Sequence, residues 1–216
     1  MVRTPNRQRK PAYHHGDLRR ALLDAAEAEL EENGVERFSL RAVAKRAAVS
    51  HGAPAHHFAS ADDLLTALAA RGYGTFIEMQ DERERDAGDD PKARLAASGL
   101  GYIDFATKHP GLFRLMFASE RTDKEDAALA SAANAAFNKL TDHIETISGT
   151  DPHQDRLTMA HVLACWAIAH GLADLTIAER LGRASFLATM TREERDGFFS
   201  EIILRGLASS EEAPHA

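Results

Sequence analysis

Cysteine is nearly missing from this chain: one residue, Cys165, stands in 216. A lone thiol excludes an internal disulfide and fits a reducing cytoplasm. Aromatics make up only 6% of the residues, and β-branched runs with period-two alternation are scarce, so a sheet-rich fold is excluded. No continuous apolar run approaches the ~18 residues that cross a bilayer. No apolar segment follows Met1-Val2-Arg3, so neither an anchor nor a secretion signal is expected. The catalytic signatures H-E-x-x-H, C-x-x-C, G-x-S-x-G and the phosphate loop do not occur, and no enzyme and no cofactor are expected.

Histidine is the exception to this scarcity, with 11 residues. The adjacent pairs His14-His15 and His56-His57 do not make a metal site, because neighbours on a helix point about 100° apart. Solvated or DNA-facing histidines are the simpler reading. Cys165 lies in the apolar run L-A-C-W-A-I and reads as a buried, inert thiol.

Alanine abounds, and apolar residues recur at helical spacing throughout. The pattern predicts an all-α protein of about nine helices. The first spans Gly16 to Asn33, and two short ones follow between Ser39 and Phe58. A long fourth helix, opened by a Ser60/Asp63 capping box, runs to about Asp86. The fifth ends at Lys108 and the sixth starts at His109-Pro110. The seventh spans Thr122 to Ile147 and the eighth runs from Asp151-Pro152 to about Arg180. A Thr191/Glu194 box opens the ninth, which reaches about Leu207.

Formal net charge is −7, but the charges are unevenly placed. Residues 1–65 carry 10 Lys and Arg against 9 Asp and Glu, and the remainder 16 against 24. Arg3, Arg7, Arg9 and Lys10 form a basic arm, while Arg37, Arg41, Lys45 and Arg46 flank the short helices. A basic face on an acidic chain suits a nucleic-acid binder whose other half must not adhere to DNA.

The two short helices carry the strongest functional signal. In S-L-R-A-V-A-K-R-A-A-V-S-H-G-A-P-A-H-H-F, Ser39 is placed to cap one helix and Ser50 a second, with Val49 closing the turn between them. A first helix that braces and a second that presents its N-terminal residues is the geometry of major-groove readers. Pro54 falls near the first turn of the second helix, where its cost is expected to be small.

This stretch, with Leu18–Gly34 before it and Phe58–Leu65 after it, resembles the DNA-binding domain of the TetR family of bacterial transcriptional regulators. The segments H-P-G-L-F-R-L-M-F from His109 and W-A-I-A-H-G from Trp166 resemble the WHG-type ligand-binding half of one branch of that family. The resemblance implies double-stranded DNA as a partner, read by Ser50, His51, Gly52, Ala53 and His56, with Arg41 and His57 on phosphates. Three positions depart from the family pattern: Ala48 replaces a turn glycine, Ala55 a tyrosine, and Ala61 a lysine, with Asp62 and Asp63 behind it. If Ala48 needs a left-handed backbone, its Cβ costs on the order of 1 kcal/mol.

Trp166 and His170 share a helix face, and with Tyr102, Phe105, Phe113, Met116, Phe117 and Phe137 they form a candidate cavity wall for a small, largely apolar effector. An ordinary core accounts for the same aromatics. The late stripe Phe198, Phe199, Ile202, Ile203 and Leu207 is broad enough for a helix-pair interface, and the resemblance implies a homodimer through the last two helices. The expected organisation is a flexible arm (1–15), a helix-turn-helix domain (16–60), a helical ligand-binding and dimerisation domain (61–208) and a disordered tail (209–216). Only the fourth helix continues from one half into the other, so its tilt is expected to set the spacing of the two DNA readers, with Gly72 and Gly74 either bending it or packing closely. The function expected is a cytoplasmic regulator, a repressor released from a pseudo-palindromic operator by its effector. The alternative is a helical ligand-binding or scaffolding dimer with little DNA affinity, a reading that Ala48, Ala55 and Ala61 permit.

Overall fold

A computed structural model describes residues 15–183 and 186–207; the basic arm and the tail expected from sequence lie outside the described residues, save for position 15. The described residues form eight α-helices: α1 (His15–Asn33), α2 (Leu40–Arg46), α3 (Ala61–Glu84), α4 (Pro91–Lys108), α5 (Pro110–Ala118), α6 (Ala127–Ser148), α7 (Arg156–Ile177) and α8 (Arg192–Leu204). The described residues contain no strand. One core cluster runs from Leu22 on α1 through Leu68 and Phe76 on α3 to Phe105 on α4 and Ile203 on α8.

Most boundaries follow from side-chain caps. Ser39 accepts from the Ala42 N–H and Ser60 from the Asp63 N–H. Asp63 accepts from Ala59, one residue before the cap, so the expected box at α3 is offset. At α8 the Thr191/Glu194 box closes in both directions. α6 and α7 start later than the sequence suggests, because Asp126 and Asp155 hold the first-turn N–H groups there. Gly149 ends α6 with φ 70°, a left-handed conformation that glycine adopts without a Cβ penalty.

The expected third helix of the DNA-binding half does not form as an α-helix. Residues 51 and 52 form a turn, residue 53 a bend and Pro54–His56 a single 3-10 turn, which is why the described residues hold eight α-helices and not nine. An α-helix capped at Ser50 would take its first bond from the residue-54 N–H to the Ser50 carbonyl, and proline has no N–H. Ser50 instead accepts at its carbonyl from Ala53 N–H, three residues on, and Ala53, not Ser50, stands at the N-cap of the 3-10 turn. The cost of Pro54 is therefore larger than its place near a first turn suggests: it changes the helix type. The buried Pro54 and Phe58 fix the segment from below, with the Arg19 guanidinium 5.3 Å from the Phe58 ring centroid.

α7, of 22 residues, contains an 18-residue stretch of mean hydropathy 1.3, apolar enough by length and composition to cross a membrane, although polar residues interrupt every continuous apolar run in it. Here it packs in the helical body against α4, α6 and α8. Leu157 (56% exposed) and Leu163 (50%) remain on its outer side.

Ala48 has φ 53°, so the turn does require the left-handed region. Replacing it by glycine removes the Cβ strain, and Ala48→Gly is expected to gain about 1 kcal/mol, raising the melting temperature by roughly 2–4 °C. A thermal melt of the two proteins checks this.

The glycines of α3 divide. A β-carbon on Gly72 would sit 2.7 Å from Met116 Sδ and 3.0 Å from Leu112 Cδ1, whereas Gly74 is exposed with open space around it. Gly74→Ala should stabilise by about 0.8–1 kcal/mol through helix propensity, and Gly72→Ala should destabilise by about 1 kcal/mol through overpacking. Chemical denaturation of both variants would show opposite shifts in midpoint.

Candidate functional site

The DNA-facing candidates gather on one edge. Ser50, His51, Gly52, Ala55 and His56 are exposed on the turn, and Arg41 is exposed on α2. Ala53 is half-buried, and so is His57, whose ring centroid lies 6.5 Å from that of Phe58. Of the basic residues flanking the turn, Arg46 is drawn away: it donates to Glu29 (3.1 Å) and to Glu32, both on α1. Arg37, Arg41 and Lys45 stay exposed. The aspartates at the start of α3, which reduce positive charge there, have structural work. Asp62 pairs with Arg121 at 2.6 Å, and Asp63 caps Ala59.

A second site lies in the other half. A cavity of about 400 Å³ is walled by α3 (Tyr73, Phe76, Gln80), α4 (Leu95, Ser98, Gly99, Tyr102) and α5 (Met116, Phe117). α6 contributes Asn134, Phe137 and Leu140, α7 Cys165, Trp166 and Ala169, and α8 Ile203. Its volume falls in the ordinary range for small-molecule pockets. Asn134 and Trp166 both line it and are both exposed, so its mouth opens between α6 and α7.

Five of the eight residues singled out from sequence line this space: Tyr102, Met116, Phe117, Phe137 and Trp166. Phe105 is fully buried against Phe76, with ring centroids 5.4 Å apart, and belongs to the core. Phe113 and His170 stand one layer behind the wall. The two rings stack at 5.2 Å, and His170 Nδ1 lies 2.7 Å from the Tyr102 hydroxyl. Trp166 and His170 share a helix face but not a role: Trp166 meets the cavity and Phe137, while His170 braces Tyr102. Sequence reasoning missed Tyr73, Phe76 and Gln80, all on the helix read as a connector. Their signal was spacing, since residues 73, 76 and 80 recur at 3 and 4 along one face.

Electrostatics inside this wall favour neutral groups. Burial pushes the Tyr102 phenol well above its usual range, with the Trp166 indole opposing. Burial raises the Cys165 thiol to about 11, which keeps it a thiol at neutral pH. Burial also lowers the His170 imidazole, partly offset by Asp174, so the neutral ring can accept from the Tyr102 O–H.

The two sites are bridged at more than α3. The Glu31 carboxylate of α1 accepts from the Gly111 N–H (2.8 Å) and the Leu112 N–H (2.9 Å), filling the N-terminus of α5 where backbone donors lack helix partners. Beside it, His109 Nδ1 lies 3.0 Å from Glu27, and Arg71 on α3 donates to Glu27 (2.6 Å) and Asp24 (2.5 Å). α3 continues along the chain from one half into the other, and these contacts add a second link between them.

An all-α body with an N-terminal helix–turn segment and a cavity among its later helices is an architecture of helical DNA-binding proteins. Residues 22–68 match the family described as "Bacterial regulatory proteins, tetR family", and residues 95–194 match "Tetracyclin repressor-like, C-terminal domain". The chain is 33% identical over 82 residues to the HTH-type transcriptional regulator BetI of Paraburkholderia xenovorans (strain LB400), covering 38% of this chain and 42% of that one. It therefore spans under half the length of the curated relatives it matches. A solved protein of unknown function from Rhodococcus sp. RHA1 is 30% identical, with a TM-score of 0.71 over 93% of this chain and 100% of that one. The fatty acid degradation regulator FadR of Bacillus halodurans shares the fold, with a TM-score of 0.62 at 16% identity over 92% of this chain and 99% of that one. This chain belongs to the TetR family of transcriptional regulators, with a helix-turn-helix DNA-binding domain.

The lowered imidazole has a consequence for stability. Between its folded value and the ordinary 6.5, the unfolded chain holds a proton that the folded chain does not. The stabilising contribution is therefore complete above about pH 6.5 and is lost as pH falls below it. His170→Gln should flatten this part of the stability–pH curve, as denaturation midpoints from pH 7.5 to 5 would record.

Proposed function

We propose that this protein is a dimeric repressor released from a pseudo-palindromic operator when a small, largely apolar effector enters the cavity among α3–α8. The observation that carries this reading is the reach of one helix. α3 begins at the Ser60 cap beside the DNA-facing turn and, three turns on, supplies Tyr73, Phe76 and Gln80 to the cavity wall. A ligand pressing on that wall bears on the helix that holds the reader, and half-sites about one DNA turn apart, ~34 Å, make operator fit sensitive to small tilts.

In this reading Ser50, His51, Gly52, Ala53 and His56 face bases, and Arg41 and His57 face phosphates. Tyr102, Met116, Phe117, Phe137 and Trp166 meet the effector, while Phe105, Phe113 and His170 support them. The outer side of α7 serves the dimer. Between Leu157 and Ala167 it exposes Leu157, Ala160, Leu163 and Ala167 without a charged residue, a surface that water disfavours and a twofold partner helix would cover. Such a protein works in the cytoplasm.

Selection of bound fragments from random DNA, followed by titration at several salt concentrations, tests the reading. Wild type should enrich an inverted repeat. Arg41→Ala should weaken binding evenly across sequences and lower the salt slope by about one charge, while His51→Ala should change the selected sequence. An empty selection would favour a ligand-binding dimer without DNA affinity, consistent with a reader that is a 3-10 turn.

A further inference from the structure

The two phenols in the cavity wall differ in what engages them. Tyr102 is committed: its hydroxyl lies 2.7 Å from His170 Nδ1, and the Trp166 indole lies against it as well. Tyr73 is 9% exposed and lines the cavity, yet its hydroxyl has no hydrogen-bond partner among the described residues. Nor is the Tyr73 oxygen sealed into the packing, as the unpartnered Gln80 amide oxygen is. A tyrosine nine-tenths buried, with an oxygen neither bonded nor sealed, has the cavity to open on. Tyr73 also stands close enough for its charge to raise the Tyr102 phenol, so the two hydroxyls share one region of the wall.

The Tyr73 ring is held in place. It meets Phe117 edge to face at 5.9 Å and Phe76 at 6.5 Å. The preceding residue, Gly72, is pressed against Met116 and Leu112, which fixes the backbone from which the ring projects. Burial raises the Tyr73 phenol above its usual range, so it keeps its proton at neutral pH. The wall thus presents a positioned O–H donor that lacks an acceptor.

The surroundings of this donor restrict what can supply the acceptor. Among the lining residues there is no aspartate, glutamate, lysine, arginine or histidine. A charged ligand group would lose its water there without meeting a countercharge, a cost that one hydrogen bond does not offset. Six rings, those of Tyr73, Phe76, Tyr102, Phe117, Phe137 and Trp166, make most of the wall. They already meet edge to face, as Phe76 and Tyr102 do at 4.8 Å, and a flat ring inserted among them gains the same contacts. The volume, about 400 Å³, lies at the small end of the range for ligand pockets.

We propose that the cavity takes a small, uncharged aromatic molecule carrying a carbonyl or similar neutral acceptor, which receives a hydrogen bond from the Tyr73 hydroxyl. That bond ties the ligand to α3, the helix that begins beside the DNA-facing turn. This inference rests on the ligand-binding reading given above and specifies what that site selects.

Three probes of one shape separate the possibilities by calorimetric titration: 2-acetylnaphthalene, 2-isopropenylnaphthalene and 2-naphthoate. Wild type should bind the ketone roughly ten-fold tighter than the hydrocarbon, the worth of one buried hydrogen bond, and 2-naphthoate far more weakly than either. In Tyr73→Phe that preference should vanish while the hydrocarbon binds at least as well as before. Without any ligand, Tyr73→Phe should melt no lower than wild type, because no hydrogen bond within the protein is lost. A ketone preference that survives in Tyr73→Phe overturns the role of Tyr73 and passes it to Ser98 or Asn134, which also line the space. A lowered melting temperature in Tyr73→Phe overturns it too, since the hydroxyl would then have a partner in the protein. Naphthoate binding as tightly as the ketone overturns the neutrality argument. Failure of wild type to bind either neutral probe defeats the cavity reading itself.

Discussion

The arrangement depends on how closely α4 lies on α3. At Gly101 the two backbones approach until even a methyl group would collide with the Gln80 backbone. That contact fixes the depth at which α3 sits in the body, and Phe76, Tyr102 and Phe105 then interlock edge to face along the same seam. With α3 pinned on one side by α4, its other flank is free to meet α5 at Gly72 and to leave room for a cavity between. A larger residue at 101 would spread the two helices and open the cavity wall.

The fold was legible because its rules are local. Helical spacing, and caps such as Ser39, Ser60 and the Thr191/Glu194 pair, act within a turn of themselves, and they fell where the side chains indicated. Pro54 was legible as a residue but misjudged in effect. Whether a proline near a cap merely occupies a first turn or converts the segment to 3-10 depends on which N–H the first bond requires, and a shift of one residue in the cap decides it. Asp126 and Asp155 displaced two helix starts for a similar reason, because several aspartates competed for the same role.

The cavity was half legible. The aromatic residues of α4 and α5 stood out by type, but type does not separate Phe105 in the core from Phe117 on the wall; that depends on which helix lies opposite. Gln80 carried no signal beyond its spacing from Tyr73 and Phe76, since a glutamine on a helix is ordinarily solvated. Its significance arises only when Gly101, twenty-one positions later, closes over its backbone. The structural role of Asp62 was illegible for a related reason: its partner Arg121 comes from the far side of the chain.

Glu31 has an implication for how such a chain can be taken apart. It belongs to the first helix, yet its carboxylate completes the N-terminus of α5, eighty residues on. The hydrophobic core likewise passes from Leu22 to Ile203 without a seam. A reader grafted from another regulator would bring a different residue to that position, leaving two backbone donors of the recipient without their acceptor. Exchange of DNA specificity is therefore simplest by point changes on the turn itself, and a transplant of the whole N-terminal half has to carry a matching α5 with it.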